Sequence, residues 1–485
     1  MPVPSLPTEA LYMIVRQLVG DLWVDAADEG QRRLVYSTLR NLRLTCKAFE
    51  SMAVIKQELF RDLHLWATHE EVARLEQTDL SRIGGFVTTV NLYPSPYFAE
   101  LKLKDYRDIL VIQNTHLAEP INAPNSKNVS NFSLLDCQIH MREHGHAQNN
   151  SQILGFEDQT EMEYDSYRRC AERDQALIKE GRLQRTWTAV MQDLGNLSEC
   201  NLLPVVGLKL PLRAKVTEPT ILSTSICDEE CQHFTTLTHA AAPSMDLLFK
   251  ALLECLCLAR PRLTSIEFDG DFKETFTSSW IEPWWDKLKL DHLTRLRFDS
   301  MPFNNKDDDE HRVDLAQNAL AALLGKSHST LEELVLDRFW NERAPMTWQS
   351  ISQSLSTLGF PQLRWLDLTR ILISPRLLAG DLTCLPRLQT LRLVDCVTKE
   401  DGTAWKPFFD TIRQHPNELR LILDDVREER NPYDASLWSF AFGADLPRPY
   451  HFPYQIPTAV YEDLTLYLSK QGYWTHSIQS FFADF

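Results

Sequence analysis

The chain has 485 residues, 44% hydrophobic and 24% charged, which is enough apolar material for a packed core and excludes the depleted composition of a disordered chain. A formal net charge of −17 repels phosphate backbones and anionic lipid, which argues against nucleic acid or membrane as the main ligand and favours partners with basic surfaces. The ten cysteines lack regular pairing and no uncharged apolar run is long enough to span a bilayer, so the expected location is cytoplasmic, nuclear or both.

The first segment, Ser5 to Leu18, carries Leu11, Ile14, Val15 and Leu18 at helical spacing. Ser5 suits an N-cap, Pro7 a first-turn position, and Glu9 complements the positive end of the helix dipole. Glu9 and Arg16 among the apolar residues, with no basic flank before them, do not read as a signal peptide. After an acidic stretch, Asp21 to Glu29, a second helical patch contains Leu39, Leu42, Leu44, Cys46 and Phe49. So short a unit can hide only part of its apolar surface, and the remainder needs a partner.

The segments Leu6-Pro7-Thr8-Glu9, with Leu11, Ile14 and Leu18 behind it, and Leu42-Arg43-Leu44-Thr45-Cys46-Lys47-Ala48-Phe49 resemble the two halves of the F-box family pattern. The resemblance covers about the first fifty residues and takes 1–60 as a helical F-box domain. The stretch between Leu18 and Leu39 is longer than the family's usual spacer and lacks its common Asp-Leu pair. The resemblance implies docking on a Skp-type adaptor through Leu6, Pro7, Glu9, Leu11, Ile14, Leu18, Leu42, Leu44 and Cys46, and through the adaptor a link to cullin and RING subunits. It further implies a substrate-recognition subunit of a ubiquitin ligase, of the kind numerous in fungi, with no catalytic residues of its own. The plain alternative is an amphipathic helical hairpin capping a larger domain.

Residues 61–240 carry weak copies of a Leu-x-x-Leu-x-Leu pattern at Val87-x-x-Val90-x-Leu92, Val129-x-x-Phe132-x-Leu134 and Leu197-x-x-Cys200-x-Leu202, which would start a repeat array near residue 85. Polar residues from Met141 to Asp165 break the period and suggest an exposed loop or insertion. Between 241 and 426 the pattern is strong: Leu263-x-x-Ile266-x-Phe268, Leu293-x-x-Leu296-x-Phe298, Leu331-x-x-Leu334-x-Leu336, Leu363-x-x-Leu366-x-Leu368 and Leu388-x-x-Leu391-x-Leu393, with a looser copy at Leu419, Leu421 and Leu423. First-leucine spacings of 30, 38, 32 and 25 residues match or exceed a leucine-rich repeat. Pro261, Pro361 and Pro386 enter three of the strands by ending what precedes them. Helical patterns at Met245 to Ala259, Leu315 to Leu324, Trp348 to Leu358 and Trp405 to His415 lie upstream. One strand and one helix per unit predict an α/β fold: an irregular leucine-rich-repeat solenoid with a parallel sheet on its concave face and helices on its convex face. The aromatic-rich stretch 427–485, with a helical segment from Thr458 to Ser469, reads as a terminal cap.

Strand side chains alternate, so Ser265, Glu267, Asp269, Arg295, Arg297, Asp299, Glu333, Val335, Asp337, Trp365, Asp367, Thr369, Thr390, Arg392 and Val394 are expected on the open face. Asp269, Asp299 and Asp337 would form an acidic ladder, with Trp365 as an exposed aromatic anchor. The functional expectation is that Glu267, Asp269, Arg297, Asp299, Asp337, Trp365, Asp367 and Arg392 hold a protein substrate with a basic segment. The alternative is that these charges only solvate the sheet.

Other constellations carry less. Cys227, Cys231, His233 and His239 are zinc-ligand types at an uncommon spacing, and His140, His144 and His146 fit a polar loop, so neither a metal nor another cofactor is expected. Gly325-Lys326-Ser327 lacks the first glycine of a phosphate-binding loop, Leu320 standing in its place, and Gly325 suits a helix C-cap. Cys255, Cys257 and Cys396 sit in apolar stretches as core residues. No hydrolase, metalloprotease or kinase signature supports an enzyme reading.

Overall fold

The computed structural model describes residues 52–107, 150–204, 232–270, 284–299, 323–337, 359–398, 402–428, 438–442 and 458–483, with 37–42 and single positions Met13, Val15, Leu44, Ser352 and Glu400. The strands are β1 (Asp62–Trp66), β2 (Thr89–Tyr93), β3 (Glu199–Leu202), β4 (Ser265–Asp269), β5 (Arg295–Asp299), β6 (Glu333–Asp337), β7 (Trp365–Thr369), β8 (Leu372–Ile373), β9 (Thr390–Val394), β10 (Val397–Thr398), β11 (Arg420–Glu428) and β12 (Trp438–Phe442). Nine of them, β1 to β7, β9 and β11, pair side by side in chain order, every step parallel. The short β8 and β10 form a second parallel ladder that meets the end of β11. Antiparallel β12 pairs with β11, which β9 flanks as its parallel neighbour.

Five strands lie on the strong sequence repeats, and β2 and β3 on two of the weak copies. The third, at Val129, falls outside the described residues. The array begins earlier than residue 85, because β1 pairs in register with β2, Leu65 opposite Leu92. Its segment Phe60-x-x-Leu63-x-Leu65 is a further copy of the period, legible in the sequence.

One hydrogen-bond device fixes the register from unit to unit. The carbonyl of the residue before a strand accepts from two successive N–H groups of the next unit: Arg61 from Thr88 and Thr89, Thr88 from Ser198 and Glu199, Ser198 from Thr264 and Ser265. The staircase continues through Thr264, Thr294, Glu332 and Arg364. Hydroxyls reinforce it, Thr264 Oγ1 donating to Ser198 O at 3.2 Å and Thr294 Oγ1 to Thr264 O at 3.1 Å. Backbone donors entering each strand are thereby satisfied, and a slip of one residue would turn every apolar side chain to the wrong face.

The helices are α1 (Ala53–Phe60), α2 (His69–Leu75), α3 (Asn150–Lys179), α4 (Arg182–Asp193), α5 (Gln232–Ala259), α6 (Pro375–Leu382), α7 (Trp405–Gln414), α8 (Thr458–Leu468) and α9 (His476–Ala483). Thr68 caps α2 by accepting from Glu71 N–H, and Ser374 caps α6, whose first residue is Pro375. The second and fourth residues of the strands join Val72, Trp187, Leu248, Leu252, Leu378, Phe408 and Leu464 of the helices in one continuous core. Each such leucine or phenylalanine contributes about 1.5–3 kcal/mol when fully buried. Phe249 of α5 packs on Phe268 and Phe298 at ring distances of 4.7 and 6.1 Å, binding helix to sheet. The boundary expected near 240 falls inside α5, and the sheet passes from β3 to β4 without a break. That expected at 426 falls inside β11.

Two local expectations are corrected. The loop expected at 141–165 is helical from Asn150 onward, residues 141–149 lying outside the described set. Its glutamates and glutamines are good helix formers, and the apolar stripe that anchors it, Tyr164, Tyr167, Ala171 and Leu177, begins only at the end of the polar stretch. Phe98 N–H donates to Tyr167 at 2.6 Å, and Asp174 accepts from His69 N–H and the Ser95 hydroxyl at 2.8 and 2.7 Å, fastening α3 to the start of the sheet. Gly325 is not a C-cap: the backbone is helical over 323–327, and the Ser327 carbonyl ends the helix by accepting from Thr330 and Leu331. A left-handed residue does close α5, where Arg260 has φ of 53° immediately before Pro261.

Candidate functional site

Two surfaces bear on function. Of the expected adaptor-binding residues, Leu6, Pro7, Glu9, Leu11, Ile14, Leu18 and Cys46 lie outside the described residues. Met13, Val15, 37–42 and Leu44 have helical backbone. Val15 and Leu39 are fully buried, Leu42 is half-buried, and Met13 and Leu44 are 70% and 77% exposed. This segment therefore shelters some of its apolar side chains and holds others in water.

The second surface is the sheet face opposite the helices, formed by the first, third and fifth residues of each strand. Pairing aligns these residues in three rows across the sheet. The middle row runs His64, Asn91, Asn201, Glu267, Arg297, Val335, Asp367, Arg392 and Ile422. The next row sets Asp269, Asp299 and Asp337 directly opposite one another, so the expected ladder is real in register.

It is not a free anionic track. Arg297 lies 3.4 Å from Glu267 and 3.8 Å from Asp299, Arg295 3.1 Å from Glu333, and Arg392 2.7 Å from Asp367. Arg370 donates to Asp337 at 3.0 and 3.1 Å from a left-handed backbone, φ 55°, that swings its side chain back over the sheet. Like charges directly opposite repel, and these arginines relieve that repulsion. Asp299 and Asp367 are buried, as is Val335, so the reading of every open-face position as solvent-facing is corrected: long neighbouring side chains and their ion pairs cover the smaller ones. Trp365 is half-buried on the outer row between Glu333 and Thr390 rather than standing clear of the surface.

Sequence reasoning missed the start of this face. Trp66 stacks on Tyr93 with centroids 4.7 Å apart and planes at 17°, and His64 lies 5.8 Å from Tyr93, its Nδ1 3.1 Å from the phenolic oxygen. Asn201 Nδ2 donates to Asn91 Oδ1 at 2.9 Å beside them. Partial desolvation holds the His64 imidazole below its ordinary pKa, with Asp62 opposing.

Among the described residues no group of histidines, cysteines and acids is placed to hold a metal. Cys227, Cys231 and the histidines 140, 144 and 146 lie outside them, and His233 and His239 fall on the backbone of α5. Cys255, Cys257 and Cys396 are buried core residues. Burial pushes the Cys255 and Cys396 thiols up to about 12, so neither is ionised at neutral pH. No helix among the described residues is long and apolar enough to cross a membrane. In comparisons with known proteins, no family model matches the chain and no curated protein matches it.

Proposed function

We propose that this protein is the substrate-recognition subunit of a Skp-cullin-F-box type ubiquitin ligase, an F-box followed by leucine-rich repeats, working in the cytoplasm, the nucleus or both. The observation that carries the reading is Leu44. It sits in the second F-box half-motif and remains 77% exposed in the chain alone, while Leu39 a few residues before it is buried. An apolar side chain at the position where the family docks its adaptor, left in water by its own fold, is what an adaptor would cover. The repeat array supports the second half of the reading, because nine parallel strands in chain order offer a broad polar face to a protein substrate. The F-box holds the adaptor, the face holds the substrate, and the gain in ubiquitin transfer comes from proximity to the charged enzyme on the cullin.

The test is co-purification of a Skp-type adaptor with the full chain. Wild type should retain the adaptor; Leu6→Ala with Pro7→Ala, and separately Leu44→Asp, should lose it. Leu44→Asp should melt at the wild-type temperature, since an exposed side chain supports little of the fold. Absence of adaptor from the wild-type preparation would leave a leucine-rich-repeat interaction scaffold uncoupled from ubiquitination.

A further inference from the structure

The turns that lead into β3 and β4, neighbouring strands of the sheet, enclose a cavity. Its volume is about 390 Å³, within the range of about 300–1,000 Å³ in which small-molecule sites fall. Met191, Leu194 and Leu197, from the end of α4 and the turn after it, are buried and give it an apolar wall. Gly195 and Asn196 of the same turn, and Arg260 and Arg262 of the turn from α5 to β4, stand exposed around it. Among the described residues no carboxylate lines it.

The two arginines are uncommitted. Arg262 follows Pro261 as Arg387 follows Pro386 in a later unit, but Arg387 donates to Gln362. On the open face Arg295, Arg297, Arg370 and Arg392 each pair with a carboxylate. Among the described residues the Arg260 and Arg262 side chains make no ion pair or hydrogen bond, and the N–H groups of Gly195 and Asn196 have no acceptor. The Asn196 amide donates to the Gly85 carbonyl at 2.6 Å and pins that turn in place. Both α4 and α5 end at the cavity, and their carbonyl ends each bring about half a negative charge. Two guanidinium groups exceed that by about one full charge, so this spot is cationic in a chain of net charge −17.

We propose that this cavity binds a phosphoryl group, whose oxygens accept from the Arg260 and Arg262 guanidinium groups and from the turn N–H groups of Gly195 and Asn196. A guanidinium presents paired donors that match phosphate, and successive turn N–H groups add to an anion-binding concavity. The apolar wall receives whatever carries the phosphate. The site lies where the strands are entered rather than on the open face, and it stands whether or not the chain serves a ligase. Inorganic phosphate and a phosphorylated peptide segment share this chemistry, and the test separates them.

The experiment titrates the full chain by calorimetry with inorganic phosphate, and separately with a nine-residue glycine peptide holding a central phosphoserine; serine and glutamate peptides are the controls. At least one phosphate ligand should bind, the phosphopeptide at least tenfold more tightly than its controls if it is the ligand, and the affinity should fall with added salt. Binding of inorganic phosphate as tight as that of the phosphopeptide assigns the site to free phosphate; tighter binding of the phosphopeptide assigns it to a phosphorylated segment. Arg260→Gln with Arg262→Gln should weaken the bound ligand about tenfold, while Arg387→Gln should leave it unchanged, circular dichroism showing that both variants fold. Absence of binding by either phosphate ligand, or an equal loss from Arg387→Gln, overturns the proposal. So does a double variant that melts lower yet binds as wild type, since the arginines would then serve only as counter-charges to the two helix ends.

Discussion

Removing the arginine of the Asp367–Arg392 pair should cost more than removing both partners. The Asp367 carboxylate is buried on the sheet face, accepts from Arg392 Nη1 at 2.7 Å and, among the described residues, receives besides only the Thr369 hydroxyl, at 3.1 Å. Arg392→Met strips a buried charge of its partner, a loss of about 3–5 kcal/mol for a fully enclosed pair. Because 38% of the Arg392 side chain is exposed, water recovers part of this, leaving about 2–3 kcal/mol. Asp367→Asn with Arg392→Met removes the charge as well and should cost about 1 kcal/mol, so Arg392→Met should be about 1–2 kcal/mol less stable than the double variant, and the coupling is that gap plus the cost of Asp367→Asn alone. Urea denaturation of the wild type, both single variants and the double variant measures it, and salt should reduce the coupling only partly, since the carboxylate is out of solvent. If Arg392→Met is no more destabilising than the double variant, the carboxylate is hydrated rather than committed to the fold, and the face is more anionic than its ion pairs imply.

Arg370 holds a left-handed backbone and an ion pair with Asp337, so two substitutions separate those roles. Arg370→Gly should be more stable than Arg370→Ala by about 1 kcal/mol, because glycine removes the steric cost of positive φ while both lose the pair; equal melting temperatures would refute the strain argument. Burial raises the pKa of Asp174, against hydrogen bonds from His69 N–H and Ser95. Folding therefore favours its protonated form, and the associated stability is present below the ordinary carboxylate value of about 4 and lost as pH rises through the raised folded value. Asp174→Asn keeps one acceptor oxygen for His69 N–H, turns an amide donor toward the Ser95 oxygen, carries no charge, and should gain on wild type between pH 4 and pH 7 in denaturant midpoints; a gap that does not change with pH would contradict the assignment.

The repeat pattern was readable because a parallel strand covered on one face must place leucine, isoleucine or phenylalanine at every second residue, as Leu334 and Leu336 or Leu391 and Leu393 do. The period therefore located the strands directly, down to the weak copies at Val90 and Cys200. It under-reported β1, a single short copy, and it misread the polar first turns of α3, whose anchoring tyrosines, Tyr164 and Tyr167, come only near its middle.

The order of apolar and polar residues by itself determined that this chain builds a parallel sheet with one buried face, since that follows from local periodicity and the need to hide it. Only the tertiary structure decided what the other face is. Which carboxylates are answered by arginines depends on neighbours 25 to 38 residues away in the chain, as with Asp367 and Arg392 or Arg295 and Glu333, and on the left-handed turn that brings Arg370 to Asp337. Charge balance on a sheet is set by cross-strand register, which spacing along one strand does not contain.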